Sequence, residues 1–163
     1  AFAESNWDEE FVHYLPYIKE DDFLGVQNYT RQLVNAEGEL PVSDGNRRTE
    51  MEYEFYPEAS GHVLQTVHEQ LSIPLMVTEN GVATLDDKER VEYIAAAVNG
   101  VKSCIDDGVP VIGYMYWSLL DNFEWQLGYD RHFGLIEVDR TTMERKPKES
   151  FFSLSKTWRT INQ

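Results

Sequence analysis

With 163 residues, of which 42% are hydrophobic, the chain is long enough to form one domain with a real core. Its formal net charge is −15, because 29 acidic residues stand against 14 basic ones. This balance argues against nucleic acid or an anionic membrane surface as a partner, since phosphate groups are bound by dense Lys and Arg.

Three short apolar runs predict β-strands, at residues 23–26, 74–77 and 111–116. Each run is continuous rather than alternating, which is typical of strands that are covered on both faces. Residues 31–52 are polar and irregular and predict an insertion after the first strand.

Helical patterns lie between and after these runs. One helix is predicted at about residues 57–71 and another at about 149–161. The clearest helix begins near Asp86, where Glu89 three residues later predicts a capping box, and Gly108 predicts its end. Its apolar residues recur at steps of three and four, as on one helix face: Val91, Ile94, Val98, Val101 and Ile105.

Alternating strands and helices predict an α/β fold with a parallel sheet, in which chemistry lies where the strands end. The three runs lead into Tyr29, Glu79 and Trp117 respectively, so a shared site is expected there. Three parallel strands cannot close a barrel and leave exposed edges. We therefore expect the chain to be incomplete or to pair with a second chain.

Two segments carry candidate chemistry. Glu79 lies in the sequence Thr-Glu-Asn-Gly and is predicted to end its strand, although spacing alone favours a solvent-exposed turn carboxylate. Residues 117–125 combine two tryptophans, a phenylalanine and two carboxylates. Sugars present apolar faces and hydroxyl groups, so aromatic planes beside carboxylates suit a sugar site. Aromatic residues that plug the core explain this segment equally well.

Together these segments resemble glycoside hydrolase family 1, the β-glucosidase family. The most specific parts are Val-Thr-Glu-Asn-Gly at residues 77–81 and the segment 113–125, and the resemblance extends from about residue 22 to 158. Supporting matches lie at residues 22–26, 131–135, 138–139 and 145–150. The resemblance implies a (β/α)8 TIM barrel. Residues 1–163 would form its C-terminal part, about strands six to eight, with the N-terminal half absent from this chain.

The implied activity is that of a retaining β-glycosidase, which hydrolyses terminal non-reducing β-D-glycosides such as cellobiose by double displacement. Glu79 would be the nucleophile that forms a glycosyl-enzyme, and Tyr29 would orient it through a hydrogen bond. Four residues would bind the sugar: Trp117 beneath it, Glu124 and Trp125 at its hydroxyl groups, and Phe133 in the pocket lining. The Trp117–Ser118 peptide bond would be cis.

Two departures from the family pattern stand out. The family usually has Asn-Tyr-Tyr where this chain has Gln27-Asn28-Tyr29, which leaves the role of the first two positions open. The family's acid/base glutamate belongs to a Thr-Phe-Asn-Glu-Pro motif, which this chain lacks. We expect an N-terminal barrel fragment, either a companion chain or an omitted segment, to supply that group. The mechanism needs neither cofactor nor metal.

Three other interpretations compete with that of a glycosidase fragment. The chain would bind sugar without turnover if it were a truncated remnant. A 6-phospho-β-glycosidase is disfavoured because Glu124 takes the place of the phosphate-binding serine, and a carboxylate repels a phosphate dianion. A dinucleotide-binding enzyme is excluded, since no Gly-x-Gly-x-x-Gly follows a strand. Preference among glucosides, galactosides and fucosides stays open, as do the aglycone and the oligomeric state.

The remaining residues predict no further chemistry. Cys104 is the only cysteine and lies on the apolar helix face, so a buried thiol is expected rather than a nucleophile. The four histidines have no metal-ligand spacing. Residues 1–12 are acidic and lack a basic start with an apolar run, so no signal peptide is expected, nor is a transmembrane segment. The compartment cannot be read from the sequence, although the cytoplasm is favoured.

Overall fold

The computed structural model describes residues 2–161. It contains five α-helices and five β-strands within that range. In chain order they are α1 (Phe2–Glu10), α2 (Leu15–Ile18), β1 (Leu24–Gln27), α3 (Ala59–His68), β2 (Leu75–Asn80), α4 (Asp87–Asp106), β3 (Val111–Tyr116), β4 (Ile136–Val138), β5 (Arg145–Pro147) and α5 (Glu149–Ile161). Short 3-10 turns lie at Val12–Tyr14 and Trp125–Leu127.

The three predicted strands form one parallel sheet in the order β1-β2-β3, which confirms the predicted alternation of strands and helices. Leu75 and Val77 of β2 are buried beneath the helices. Successive strand residues point to opposite faces, so Met76 lies on the other face, which is partly open in the described residues. The outer edges of β1 and β3 pair with no further strand within residues 2–161.

The sequence did not predict the hairpin of β4 and β5, which pair antiparallel after the long loop that follows β3. Each strand has only three residues, too few for a periodic pattern to show. A turn joins them, in which Asp139 accepts hydrogen bonds from the backbone N–H groups of Thr141 at 2.8 Å and Thr142 at 2.9 Å. Helices α1 and α2 were not predicted either, and none of their residues is buried.

Helix α4 follows the prediction except at its two ends. Asp86 caps it by accepting from the backbone N–H of Lys88 at 2.9 Å. The predicted capping box is wrong in its second half, because the Glu89 carboxylate accepts instead from the Thr84 hydroxyl at 2.9 Å. Ile105 is 48% exposed, contrary to the prediction, because the buried face of the last turn runs through Val101 and Cys104 instead. Gly108 adopts the left-handed conformation after the helix, with φ at +92°.

The core lies between the sheet and helices α3, α4 and α5. Helices α3 and α4 approach closely at Gly61 and Gly100, where a Cβ on Gly61 would lie 3.2 Å from the Gly100 Cα. Cys104 is buried beside this contact, as predicted, and its thiol donates to the Gly61 carbonyl at 3.3 Å. Burial raises the pKa of the Cys104 thiol. Within residues 2–161, the structure has no helix with the length and apolar character needed to span a bilayer.

Candidate active site

A β-bulge sets the direction of Glu79 at the end of β2. Val26 pairs with Val77, but the next residue of β1, Gln27, pairs with Glu79. Thr78 is therefore the extra residue of the bulge. Bulges re-aim a side chain at a strand end, and this one brings Glu79 opposite Gln27 rather than one position beyond it.

Both oxygens of the Glu79 carboxylate accept hydrogen bonds from β1 and the residues that follow it. The Tyr29 hydroxyl donates to Oε2 at 2.6 Å, and the Gln27 amide Nε2 donates to Oε1 at 3.1 Å. Burial raises the pKa of Tyr29 well above its usual value, and the hydrogen bond and charge of Glu79 raise it further. Tyr29 therefore remains protonated and serves as a donor at all working pH values.

These groups open into a pocket of about 330 Å³ at the carboxyl end of the sheet. All six site residues named from the sequence line it. The lining consists of Gln27, Tyr29, Met51, Tyr53, Glu79, Trp117, Glu124, Trp125 and Phe133. The structure therefore brings together residues as far apart in the sequence as Gln27 and Phe133.

The sequence did not predict three residues of the pocket lining, Gln27, Met51 and Tyr53. Gln27 stands two positions before Tyr29, so the period of a strand would have placed both on one side. Met51 lies in the irregular insertion predicted at residues 31–52 and Tyr53 directly follows it, in a stretch with no periodic signal. They are held there partly by Glu50, whose carboxylate accepts from the backbone N–H of His132 at 2.9 Å.

Trp117 is fixed at the end of β3. Its backbone N–H donates to the Asn80 carbonyl at 2.8 Å, and the Trp117–Ser118 peptide bond is cis, as the resemblance implied. Gly81 passes directly over this point. A Cβ on Gly81 would lie 1.9 Å from the Trp117 carbonyl oxygen, so only glycine fits there without moving backbone.

The loop after β3 supplies the second carboxylate of the pocket. Glu124 accepts a hydrogen bond at 2.9 Å from the Asn122 side-chain amide, which holds one carboxylate oxygen in place. Trp125 begins the following 3-10 turn and is 78% exposed, so most of its indole ring is free to contact a ligand. Phe133 is buried, and its ring lies edge-on to that of Tyr29 with centroids 5.9 Å apart.

Behind the pocket, Asn80 is a fully buried hub. Its amide Nδ2 donates to the Asn28 carbonyl at 2.7 Å and the Tyr93 hydroxyl at 3.0 Å, and its Oδ1 accepts from the Tyr114 hydroxyl at 2.7 Å. The Tyr93 hydroxyl in turn donates to the Tyr29 carbonyl at 2.8 Å. Burial raises the pKa of Tyr93 and of Tyr114, so both hydroxyls stay protonated. The hub ties the backbone of Tyr29 to β2, β3 and α4.

Two cations, the buried Arg90 and the partly buried Lys148, anchor the loops that carry the pocket. The Arg90 guanidinium donates to the carbonyls of Thr84 and His132, the second at 2.6 Å. The Lys148 ammonium donates to both oxygens of Asp121 at 3.1 Å and to the Gly134 carbonyl at 2.8 Å. These contacts give donors to the carbonyls of Thr84 and Gly134, and they add a second donor to the His132 carbonyl, which also accepts from the Thr84 backbone N–H at 3.1 Å. They fix the ends of the segment between β3 and β4.

The arrangement has a definite chemical capability. It offers a carboxylate with one donor on each oxygen, an aromatic surface at Trp117 and Trp125, and a second carboxylate at Glu124 for hydroxyl groups. Among the described residues, no group of three or more His, Cys, Asp or Glu side chains is placed to hold a metal ion.

Comparison with known proteins adds to this picture. The family model described as "Glycosyl hydrolase family 1" matches residues 11–160. The Beta-galactosidase of Pyrococcus woesei is 33% identical over 168 residues, which cover 85% of this chain and 32% of that protein. Beta-glucosidase A of Thermotoga maritima is 36% identical over 165 residues, covering 91% and 37%. The solved structure of a beta-glucosidase 1317 is 43% identical with a TM-score of 0.91, covering 98% and 39%. The chain thus spans about a third of the length of the curated relatives that it matches.

Proposed function

Since the chain belongs to glycosyl hydrolase family 1, we propose that it is the C-terminal part, about strands six to eight, of a retaining β-glycosidase of the β-glucosidase type. Its α/β fold matches part of the family's (β/α)8 barrel. In the proposed enzyme, residues 1–163 supply the nucleophile side of the active site, and the preceding part of the barrel supplies the acid/base glutamate.

In this mechanism Glu79 attacks the anomeric carbon of a terminal β-glycoside, and the C1–Oε bond of a glycosyl-enzyme forms as the leaving group departs. The acid/base glutamate protonates the leaving oxygen and then takes a proton from the water that releases the sugar. Tyr29 keeps Glu79 oriented by donating a hydrogen bond from its hydroxyl group.

The other pocket residues have binding roles in the proposal. Trp117 forms the platform beneath the sugar, and Phe133 closes the pocket behind Tyr29. Glu124 accepts hydrogen bonds from hydroxyl groups remote from the cleaved bond, and Trp125 donates its indole N–H to a neighbouring hydroxyl. A carboxylate at position 124 favours neutral sugars over 6-phosphorylated ones, because it repels a phosphate dianion.

The observation that carries the proposal is the contact between Tyr29 and Glu79. The two side chains meet at 2.6 Å, at the edge of a pocket that also contains Trp117 and Glu124. An ordinary solvent-exposed turn carboxylate would have neither a tyrosine donor nor an aromatic pocket around it.

The need for a companion segment is supported by the sheet itself. The outer edges of β1 and β3 pair with no strand in residues 2–161, and Met115 and Ile112 of β3 are 51% and 59% exposed. Unpaired edges and exposed apolar side chains favour further strand pairing. An N-terminal barrel fragment, as a separate chain or a preceding segment, would cover these surfaces.

The test is to join the chain to the part of Thermotoga maritima Beta-glucosidase A that precedes the aligned region. We expect this hybrid to hydrolyse p-nitrophenyl β-D-glucoside, whereas the chain alone does not. A 2-deoxy-2-fluoro-β-glucosyl fluoride should label the peptide that contains Glu79, as read by mass spectrometry. Glu79→Ala should lower kcat at least about a thousandfold. External azide should restore part of the activity and give a product of inverted configuration.

Glu69→Ala is the matched control, since Glu69 is exposed at the end of α3. It should leave kcat unchanged. Full activity of the Glu79→Ala hybrid, or labelling of a different residue, would rule out the assignment. Sugar binding by the hybrid without labelling or turnover would instead support a non-catalytic sugar-binding remnant.

A further inference from the structure

We infer that Gln27 is a second positioning residue for Glu79, which acts mainly when the glycosyl-enzyme is hydrolysed. The inference rests on the proposed function and concerns a position whose role the sequence left open. Its basis is the 3.1 Å hydrogen bond from Gln27 Nε2 to the carboxylate oxygen that Tyr29 does not contact.

The backbone register shows that this contact is built into the sheet. The bulge at Thr78 shifts β2 by one residue, so that Gln27 and Glu79 become direct strand partners. Without the shift, Gln27 would pair with Thr78 and Glu79 would lie beyond the end of β1. The bulge therefore presents the Glu79 side chain to Gln27 and Tyr29 together, since residues two apart along an extended segment project to one side.

A second donor changes what the first one can do. The terminal torsion of a glutamate is broad, so one hydrogen bond at Oε2 leaves the plane of the carboxylate free to turn. A donor on each oxygen fixes that plane. Misplacement of a reacting atom by about 1 Å is enough to cost catalysis, so a fixed plane favours the attacking geometry.

The Gln27 hydrogen bond has different effects on the formation and on the hydrolysis of the glycosyl-enzyme. When Glu79 attacks the sugar, the carboxylate loses charge, so donation by Gln27 opposes the step while its orienting effect helps. When the glycosyl-enzyme is hydrolysed, the water oxygen attacks C1, the C1–Oε bond breaks, and the electron pair returns to Glu79. The proton of that water passes to the acid/base glutamate. Negative charge reappears on Glu79 in this second step, so the Gln27 hydrogen bond assists it.

The test uses the hybrid enzyme with Gln27→Met, which keeps the side-chain length and removes the N–H groups. Reactivation of the 2-fluoroglucosyl-enzyme should slow about tenfold, the lower end expected for a lost hydrogen bond to a charged group. The value of kcat/KM, which reports attack by Glu79, should change less than about threefold because the two effects on that step offset each other. Gln27→Asn should behave like Gln27→Met, since its amide is one methylene too short to reach Oε1.

Gln27→Glu tests the contact with Glu79 through the pH dependence of kcat/KM, which a purely structural role of Gln27 would leave unchanged. Two carboxylates about 3 Å apart cannot both ionise readily, so the introduced carboxyl group keeps its proton at low pH and can donate to Glu79 as the amide does. Once it ionises it repels the Glu79 carboxylate, so kcat/KM should be lost at a lower pH on the alkaline side than in the unchanged hybrid. Gln70→Met serves as the control, because Gln70 is exposed beyond the end of α3 and should alter neither reactivation nor the profile.

The outcomes separate the two proposals. Absence of any labelled Glu79 peptide in the unchanged hybrid would defeat the proposed function itself. Labelling at Glu79, combined with an unchanged reactivation rate in Gln27→Met, would defeat only the role of Gln27. Equal losses in both steps would also defeat it, since they would indicate a general disturbance of the strand.

Discussion

Replacing Asn80 by alanine tests whether the buried hub behind the pocket acts as one unit. The substitution removes three hydrogen bonds from a side chain that is 0% exposed. The Tyr114 hydroxyl and the Asn28 carbonyl both lose their partner, whereas the Tyr93 hydroxyl still donates to the Tyr29 carbonyl. Each buried group left unpaired costs about 1–3 kcal/mol, so we expect the free energy of unfolding to fall by about 2–4 kcal/mol.

Tyr114→Phe is the second arm of the experiment. Alone, it leaves Asn80 Oδ1 without a donor and should cost about 1–2 kcal/mol. In the Asn80→Ala background, the same change removes a hydroxyl that is already unpaired, so it should cost almost nothing. The coupling between the two positions should therefore approach the full cost of Tyr114→Phe alone.

The assay is urea unfolding of the 163-residue chain, followed by far-ultraviolet circular dichroism. With a slope of about 2 kcal/mol per molar urea, the Asn80→Ala midpoint should fall by about 1–2 M. Asn99→Ala is the matched control, because Asn99 is exposed on α4 and should change the midpoint little. If the losses in unfolding free energy of the two single variants simply add in the double variant, the side chains of the hub do not act as one unit. A loss below about 0.5 kcal/mol for Asn80→Ala would refute the reasoning as well.

Two further predictions concern stability. Gly81→Ala would place its Cβ 1.9 Å from the Trp117 carbonyl oxygen, so the unfolding free energy should fall by at least about 2 kcal/mol in the same assay. Burial opposes ionisation of Asp87, but hydrogen bonds from Ser150 and Arg90 outweigh it and hold its pKa below the usual value. The Asp87 carboxylate therefore stabilises the fold above about pH 4 and loses this effect as pH falls further. Asp87→Asn should cost about 2–4 kcal/mol at pH 7 and much less at pH 3, and equal losses at both pH values would contradict this reasoning.

The parts of the fold that the sequence predicted are those governed by local pattern. Strand β3, Val111–Tyr116, has the predicted bounds, and helix α5 spans Glu149–Ile161 as predicted. Helix α4 was predicted because its apolar spacing is regular over several turns. The predicted capping box did not form in full, because the Glu89 carboxylate accepts a hydrogen bond from the Thr84 hydroxyl instead. That contact depends on the path of the loop before the helix. Local pattern cannot report such competition.

The pocket, too, has residues that local pattern predicts and residues that only long-range contacts place. Glu79, Tyr29 and Trp117 were predictable because Glu79 lies near the end of a strand and the other two follow strands, and the carboxyl ends of parallel strands meet at one edge of a sheet. Met51 and Tyr53 were not, because the path of the insertion is set by long-range contacts such as that of Glu50 with the His132 backbone. The bulge that pairs Gln27 with Glu79 could not be predicted either, because the register between two strands cannot be read from the residues of one strand.

Within residues 2–161, two side chains orient Glu79, and this has a consequence for the proposed enzyme. Gln27 and Tyr29 hold its two oxygens, and the Asn80 hub holds the backbone of Tyr29. The nucleophile side is therefore organised without the rest of a barrel. Retaining hydrolysis needs its two carboxyl groups about 5–5.5 Å apart. In the proposed assembly, that separation would be set by how closely the N-terminal part pairs with the edges of β1 and β3, because Gln27 and Tyr29 hold Glu79 relative to this sheet.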